Sequence, residues 1–288
     1  MYDLTDMFRP ATAQPFMNTL YYSEEAPCAA LKPYIRCFWG TARPVSGPEP
    51  PSERKSLVIP DGCVDIIFRA DLDRGQTEAY FCGLDENGWE SGRAAVHEGL
   101  TATFAVRFYL WSAAAFAEDT LINSSNTAFP AERLFPGFVR EMRGYLSRGL
   151  TLRQNAEHAE RLLLKRLIRQ PDSDLMNALE LTISRKGRVS CAELSLHTGC
   201  TVRQLQRLFN ENIGASPKSV MSVIRYQLMW QEMLRDPHFS VLDAVEKYGY
   251  FDQPHLLHDF KRRHLMTPQE ALRQAHGRKL REPIRQEG

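Results

Sequence analysis

Three polar residues in the last third of the chain have side chains that can read DNA bases. Arg203, Gln206 and Arg207 lie within five positions, and in a helix this spacing brings their side chains to one side. Arginine can donate two hydrogen bonds to guanine, and glutamine can pair in the same way with adenine. A single cluster of this kind is more often a solvated helix face, so its meaning depends on the elements that hold it.

The surrounding segment predicts a helix-turn-helix. Residues 191–197 predict a supporting helix, Gly199 suits a left-handed turn, and Thr201 begins a second helix that runs to about Asn210. The residues expected to face inward, opposite the polar cluster, are Leu205, Leu208 and Phe209.

The same plan recurs about fifty residues later. Residues 240–248 predict a supporting helix, Gly249 a turn, and Asp252 the start of a helix through Phe260, with one extra residue in the second turn. The matching pairs are Gly199 with Gly249, Leu205 with Leu256, Phe209 with Phe260, and Pro217 with Pro268. Internal repetition of this kind indicates two copies of one structural unit.

Capping signals mark four helix starts in this region. Ser190 followed by Glu193, and Thr201 followed by Gln204, form capping boxes in which side chain and backbone satisfy each other. The other two starts are Ser216-Pro217 and Thr267-Pro268, the second completed by Glu270.

Residues 216–235, between the two units, predict one helix of roughly 30 Å at about 1.5 Å per residue. This helix would hold the two recognition helices close to one DNA turn apart, about 34 Å. Both could then enter successive major grooves of one duplex without a second subunit, and DNA bending would help if the helix is shorter.

The residues of both units form a specific pattern. It comprises Gly199, Arg203, Leu205, Arg207, Phe209, Gly214-Ala215-Ser216-Pro217 and Arg225 in the first unit, and Ser240, Asp243, Gly249-Tyr250, Asp252, His255, Phe260-Lys261-Arg262 and Thr267-Pro268 in the second. Residues 172–275 thereby resemble the DNA-binding region of the AraC family of bacterial transcription regulators. The resemblance implies base-reading positions at Arg203, Gln206 and Arg207 in the first recognition helix, and at Gln253 and His258 in the second.

The chain departs from the family pattern at four positions. Met229 stands where the family prefers alanine, Leu265 where it prefers glycine, and Pro254 and His258 where polar residues or arginine are usual. Three of the four positions belong to the second unit.

A basic cluster ends the second recognition helix. We expect Lys261, Arg262 and Arg263, extended by His264, to contact DNA phosphates, and Thr201 to do so at the start of the first recognition helix. The alternative is that a basic helix end complements its own dipole.

The first 170 residues predict a separate domain, which makes the chain α+β. Short apolar runs at 34–39, 56–59, 64–68, 79–82 and 101–108 predict an antiparallel sheet or barrel, followed by helices at 138–146 and 151–168. We expect residues 1–170 to serve sensing or dimerisation. Residues 172–288 should form an all-α DNA-binding domain of two helix-turn-helix units joined by a linker helix.

The stretch Pro60-Asp61-Gly62-Cys63-Val64-Asp65, with Val106-Arg107-Phe108 later, resembles a sensory domain found in some members of the family. The chain departs from it at Tyr109-Leu110-Trp111-Ser112, where such domains continue with proline and glycine. Strand aromatics could line an effector cavity or form the core, and they are Phe38, Trp39, Phe68, Tyr80, Phe81 and Trp111. The two helices could pair with a second subunit or cover the sheet.

The composition is that of an ordinary soluble protein, 43% hydrophobic with a net charge of +1 and no long apolar run. Its first residues do not resemble a secretory signal, so we expect the protein in the cytoplasm. The six cysteines include no C-x-x-C pair and are expected to be free thiols. No cofactor or membrane contact is predicted.

Two other function classes stay open. A cupin-like metal-dependent enzyme with a helical assembly domain would need several ligands, and His97 is the only histidine of the strand region. A thiol-based redox sensor would use Cys63 or Cys82. The favoured class is a DNA-binding regulator that is not an enzyme. Its expected partners are double-stranded DNA, RNA polymerase, a small-molecule effector and a second copy of the chain.

Overall fold

The computed structural model of the protein describes residues 3–15, 19–46, 55–92, 99–167 and 169–277. His97, on which the metal-enzyme alternative depends, lies outside these residues. Within the described ranges, no group of three histidine, cysteine or acidic side chains is placed to hold a metal ion. None of the helices in these ranges combines the length and the apolar character that a membrane crossing requires.

The N-terminal half is built on a six-stranded antiparallel sheet. Its strands pair in the order β1-β2-β7-β4-β5-β8, and β3 pairs separately with β6. The strands are β1 (Ser23–Glu25), β2 (Ile35–Gly40), β3 (Lys55–Val58), β4 (Cys63–Asp71), β5 (Gln76–Cys82), β6 (Trp89–Gly92), β7 (Thr101–Tyr109) and β8 (Ala128–Pro130). All five predicted strands are present, and the sequence missed the short strands β1, β6 and β8.

The two faces of the six-stranded sheet differ in chemistry. One face is lined by buried phenylalanines, among them Phe38, Phe68 and Phe81, and the Phe68 and Phe104 ring centroids are 6.1 Å apart. These aromatics, and buried Trp111, are core residues. Trp39 and Tyr80 are only partly buried; the pairing register places Trp39 opposite Ala105 and Tyr80 opposite Ile67, on the other face.

Helices α1 (Pro136–Leu146) and α2 (Leu152–Leu164) lie on the phenylalanine face. The rings of Phe138 and Phe68 are 6.0 Å apart, and Met142, Leu162 and Leu163 are buried. The apolar faces of both helices are thus used within one chain, as expected if the helices cover the sheet. Leu164, the last residue of α2, is 49% exposed and stays accessible to a second subunit.

The C-terminal half is helical, as predicted. Its helices are α3 (Ser173–Ser184), α4 (Cys191–Thr198), α5 (Val202–Ile213), α6 (Pro217–Arg235), α7 (Val241–Lys247), α8 (Gln253–His264) and α9 (Pro268–Gly277). The predicted caps at Ser190, Thr201 and Ser216 are present. One hydrophobic cluster contains residues of both halves, such as Phe108 and Phe209. The division after residue 170 therefore stays a proposal.

Candidate nucleic-acid interface

The first helix-turn-helix consists of α4 and α5, joined by a turn at Gly199. The φ angle of Gly199 is +75°, in the left-handed region where a β-carbon is disfavoured. The Thr201 hydroxyl accepts a hydrogen bond from the Gln204 N–H over 3.2 Å, and Gln204 Oε1 accepts one from the Thr201 N–H over 2.7 Å. The start of α5 is thereby fixed from both directions.

The second helix-turn-helix, α7 and α8, repeats this geometry. Gly249 has a φ of +66°, and Asp252 Oδ1 accepts from the His255 N–H over 2.8 Å at the start of α8. Leu265 ends α8 with a φ of +56°, at the position where Gly214 ends α5 with a φ of +81°. The two units therefore share one backbone plan, apart from one extra residue before Asp252.

All five residues expected to read bases are exposed on α5 and α8. They are Arg203, Gln206, Arg207, Gln253 and His258. The Arg207 side chain is 73% exposed, and its Nε lies 3.9 Å from Glu211 Oε1. Exposure is what base reading requires of these side chains, and their individual roles stay predictions.

The residues expected to contact phosphate divide into two groups. Thr201, Lys261 and Arg262 are exposed, although the Thr201 hydroxyl also donates to Gln204 Oε1 over 2.8 Å. Arg262 donates to Asp259 Oδ1 over 2.9 Å. These three residues remain candidates.

The prediction for Arg263 is wrong, and so is the extension to His264. Arg263 is 1% exposed; its guanidinium pairs with Asp259 and donates to Ser222 Oγ over 2.7 Å. His264 is equally buried, with Nδ1 2.7 Å from the Tyr226 hydroxyl, and burial lowers the pKa of its imidazole to about 3. Both residues stabilise the second unit from inside and cannot reach DNA from these positions.

Hydrogen bonds connect the linker helix α6 to the N-terminal half. Its 19 residues span about 28 Å. Fully buried Gln227 accepts from the Ala11 N–H over 3.0 Å and donates to the carbonyl oxygens of Ala11 and Pro60 over 3.0 and 2.8 Å. Trp230 Nε1 donates to the Thr12 carbonyl oxygen over 3.1 Å. The helix between the two units is thus hydrogen-bonded to the N-terminal half.

The C-terminal ends of both recognition helices also meet the N-terminal half. Backbone N–H groups of Leu121, Ser125 and Gly88 donate to the carbonyl oxygens of Glu211, Gly214 and Arg262 over 2.9, 3.2 and 3.2 Å, respectively. A β-carbon added at Gly88 would lie 2.1 Å from the Arg263 carbonyl oxygen, so this contact requires glycine. These contacts leave the residues in the N-terminal parts of α5 and α8 exposed.

A charged cluster lies on the polar face of the sheet, next to α6. Arg107 donates from Nε and Nη2 to the two carboxylate oxygens of Asp65 over 3.0 and 3.1 Å, and its Nη1 lies 3.2 Å from Asp61 Oδ2. Burial raises the pKa of Asp61, and the charge of Arg107 opposes this rise. Asp61 follows Pro60, whose carbonyl oxygen receives the Gln227 hydrogen bond. The cluster is therefore one residue away from the linker-helix contact.

The thiol-sensor alternative depends on Cys63 and Cys82. Burial raises the pKa of the Cys63 thiol well above its ordinary value and that of Cys82 to about 12. Both side chains are then neutral thiols at neutral pH, and the thiolate is the reactive form. The surroundings of both residues argue against redox sensing.

Sequence reasoning missed Gln227 and Asp259 as structural residues. Gln227 lies four positions after Val223 and three after Ile224, within the apolar face of α6, and that placement was the available signal. Asp259 lies four residues before Arg263, the spacing of a helical ion pair.

Family models match one segment in each half of the chain. Residues 194–274 match a helix-turn-helix domain family, and residues 23–127 match a domain family of unknown function. A search of curated proteins finds no match.

Solved structures similar to the chain include a transcriptional regulator with an AraC-type DNA-binding domain from Chromobacterium violaceum, which is 22% identical over 35% of this chain and 91% of that one, with a TM-score of 0.33. ToxT from Vibrio cholerae O395 is 10% identical over 82% of this chain and 96% of its own, with a TM-score of 0.39. Wild-type ToxT from Vibrio cholerae strain SCE256, bound to an unsaturated fatty acid, is 9% identical over 82% and 94%, with a TM-score of 0.40.

Proposed function

We propose that this chain, a transcription regulator whose C-terminal helices form an AraC-type helix-turn-helix domain, reads two neighbouring major grooves of one DNA duplex. The observation that carries the proposal is the duplicated unit. α5 and α8 start at capped, fixed points, and each exposes polar side chains near its N-terminal end. Recognition helices contact base edges with their N-terminal residues.

The first unit is the stronger reader in this proposal. Arg203 and Arg207 can each donate two hydrogen bonds to guanine O6 and N7, and Gln206 can pair with adenine. In the second unit, Gln253 can pair with adenine and His258 can donate one hydrogen bond. Lys261 and Arg262 add affinity that depends on salt and not on sequence.

The linker helix sets the spacing of the two contacts. A rod of about 28 Å is slightly shorter than the roughly 34 Å that separate successive major grooves on one face of DNA. A modest bend of the DNA toward the protein would close this difference.

A footprint of the purified protein tests the proposal. We expect two protected stretches about 10 base pairs apart on one face of the duplex, produced by a single chain. Moving the two stretches apart by five base pairs should abolish high-affinity binding, because it turns one contact to the opposite face. A single protected stretch, or affinity that ignores this insertion, would contradict the reading by two units.

We further propose that the strand domain senses a small molecule and transmits the signal through α6. The supporting observation is the proximity of Asp61 and Arg107 to Pro60, which bonds Gln227 of the linker helix. Footprints with and without the small-molecule fraction of a cell extract should differ for the wild type. They should be identical for Arg107→Leu, which removes the charged partner of both aspartates.

RNA polymerase and a second copy of the chain are further proposed partners. In vitro transcription from a promoter with the footprinted site distinguishes activation from repression. Sedimentation of the protein with and without DNA measures whether one or two chains bind. A change in gel shift after mild oxidation would revive the thiol-sensor alternative.

A further inference from the structure

Phe251 is the most exposed of the large apolar side chains in the described residues, with 90% of its surface accessible. Single exposed apolar side chains are common on soluble proteins, so exposure alone assigns no role. What distinguishes Phe251 is its position directly before Asp252, the residue that caps α8.

The backbone at Tyr250 and Phe251 is held by hydrogen bonds. The Tyr250 N–H donates to the Val245 carbonyl oxygen over 2.9 Å, and the Tyr250 hydroxyl donates to Asp259 Oδ2 over 2.9 Å. The Phe251 N–H donates to His255 Nδ1 over 3.3 Å. Tyr250 is buried, whereas the Phe251 ring is left pointing into solvent from a fixed main chain.

The first unit has no counterpart to this ring. There, Gly199 and Thr201 are separated by Cys200 alone, whereas Gly249 and Asp252 are separated by two residues. Cys200 is partly buried, and its thiol donates to Asp174 Oδ2 over 3.3 Å. The additional residue of the second turn is thus a phenylalanine directed outward at the start of a recognition helix.

From this geometry we infer that Phe251 is a specificity-determining residue that packs on the C5-methyl group of a thymine in the groove entered by α8. The inference rests on the proposed function, because it assumes that the N-terminal end of α8 lies in a major groove. The ring is two residues before Gln253 and at the same end of the helix. Thymine methyl groups are the apolar feature of the major groove, and a phenyl ring has no hydrogen bond to offer the other base edges.

Replacement of thymine by deoxyuridine tests the contact, because it removes only the C5-methyl group. Each thymine of the footprinted site is replaced in turn, and binding is measured for wild type, Phe251→Ala and Leu196→Ala. Leu196 is 85% exposed on the supporting helix of the first unit, so Leu196→Ala controls for the loss of any exposed apolar side chain. Phe251→Leu, which keeps an apolar group, is the conservative variant.

We expect one position at which deoxyuridine weakens wild type and Leu196→Ala about four-fold, the effect of one buried methyl group. Phe251→Ala should bind thymine and deoxyuridine equally there, and Phe251→Leu should keep part of the difference. An identical deoxyuridine profile for wild type and Phe251→Ala would overturn the inference. So would unchanged DNA binding by Phe251→Ala together with weaker transcription, because the ring would then serve a protein partner.

Failure of this inference differs from failure of the proposed function. In the first case, wild type still binds its site specifically and still depends on Arg207. In the second case, no sequence-specific footprint forms at all.

Discussion

The two helix-turn-helix units have the same backbone plan, but they are stabilised by different residues and expose different side chains. The first ends its recognition helix with Gly214, which takes a left-handed conformation without strain, and exposes Arg203 and Arg207. The second ends with Leu265 in the same conformation and keeps its equivalent of Asn212, which is Arg263, inside the protein. Equivalent positions in the repeated backbone therefore do not need to have the same role.

The largest expected effect concerns the buried ion pair of the second unit. Arg263→Met should lower the free energy of unfolding by about 3 kcal/mol, because it removes the buried cation of Asp259 and leaves this partly buried carboxylate with the more exposed Arg262 as its ion-pair partner. Urea denaturation measures this change. The matched variant is Asn212→Ala in the first unit, where Asn212 Nδ2 donates only to the Leu208 carbonyl oxygen, and it should cost about 1 kcal/mol. Equal effects of the two variants would remove the distinction between the units.

Arg207 and His258 occupy equivalent positions of α5 and α8, so replacing each by alanine compares the two readers. Arg207→Ala should weaken specific binding by about 1 to 3 kcal/mol and relax the preference at one base pair. His258→Ala should cost less, since imidazole cannot form the forked pair. Binding to a library of single-base operator variants gives both values. An unchanged preference in Arg207→Ala would exclude Arg207 from base reading.

Lys261 in α8 and Asn210 in α5 occupy equivalent positions, so replacing each by alanine tests for a contact between Lys261 and the DNA backbone. Lys261→Ala should weaken binding to all sequences similarly, by about 1 kcal/mol at physiological salt, and make the salt slope shallower by about one unit. Asn210→Ala should leave the slope unchanged, because no charge is lost. A loss confined to one operator would contradict a phosphate contact at Lys261.

The smallest effect concerns the end of α8. Leu265→Gly should stabilise the protein by up to about 1 kcal/mol, because glycine adopts a φ of +56° without the steric cost that leucine has. The thermal midpoint should rise. Gly214→Ala should have the opposite sign and a larger size, since a β-carbon there would lie 2.5 Å from the backbone carbonyl oxygen of Leu121. A lower midpoint in Leu265→Gly would indicate that the leucine side chain contributes more than its backbone costs.

Prediction from the sequence succeeded where structure depends on near neighbours. The caps at Ser190, Thr201 and Ser216, and the positive φ at Gly199 and Gly249, follow from residues within a few positions of each other. The longer strands succeeded for the same reason, whereas the three-residue strands β1 and β8 are too short to show alternation.

The error at Arg263 and His264 has a definite cause. Positions 263 and 264 follow Leu256 and Phe260 by three, four, seven and eight residues, which is the spacing of one helix face. Their charge predicts that both side chains face outward, whereas this spacing places them on the buried side. The charge of Arg263 is tolerated in the interior because its guanidinium pairs with Asp259 and donates to Ser222.

By itself the sequence determined the two repeated units, their helix starts and the side chains that face outward from them. Only the tertiary structure decided that Gln227 is hydrogen-bonded to Ala11 and Pro60 and that the Gly88 N–H is hydrogen-bonded to the end of α8. It also decided that the Phe251 side chain is exposed to solvent. The physical reason is the separation along the chain between the residues that interact. Capping and turn energies act between residues a few positions apart, whereas the partners of Gln227 are 167 and 216 residues away along the chain and are set by packing of the whole molecule.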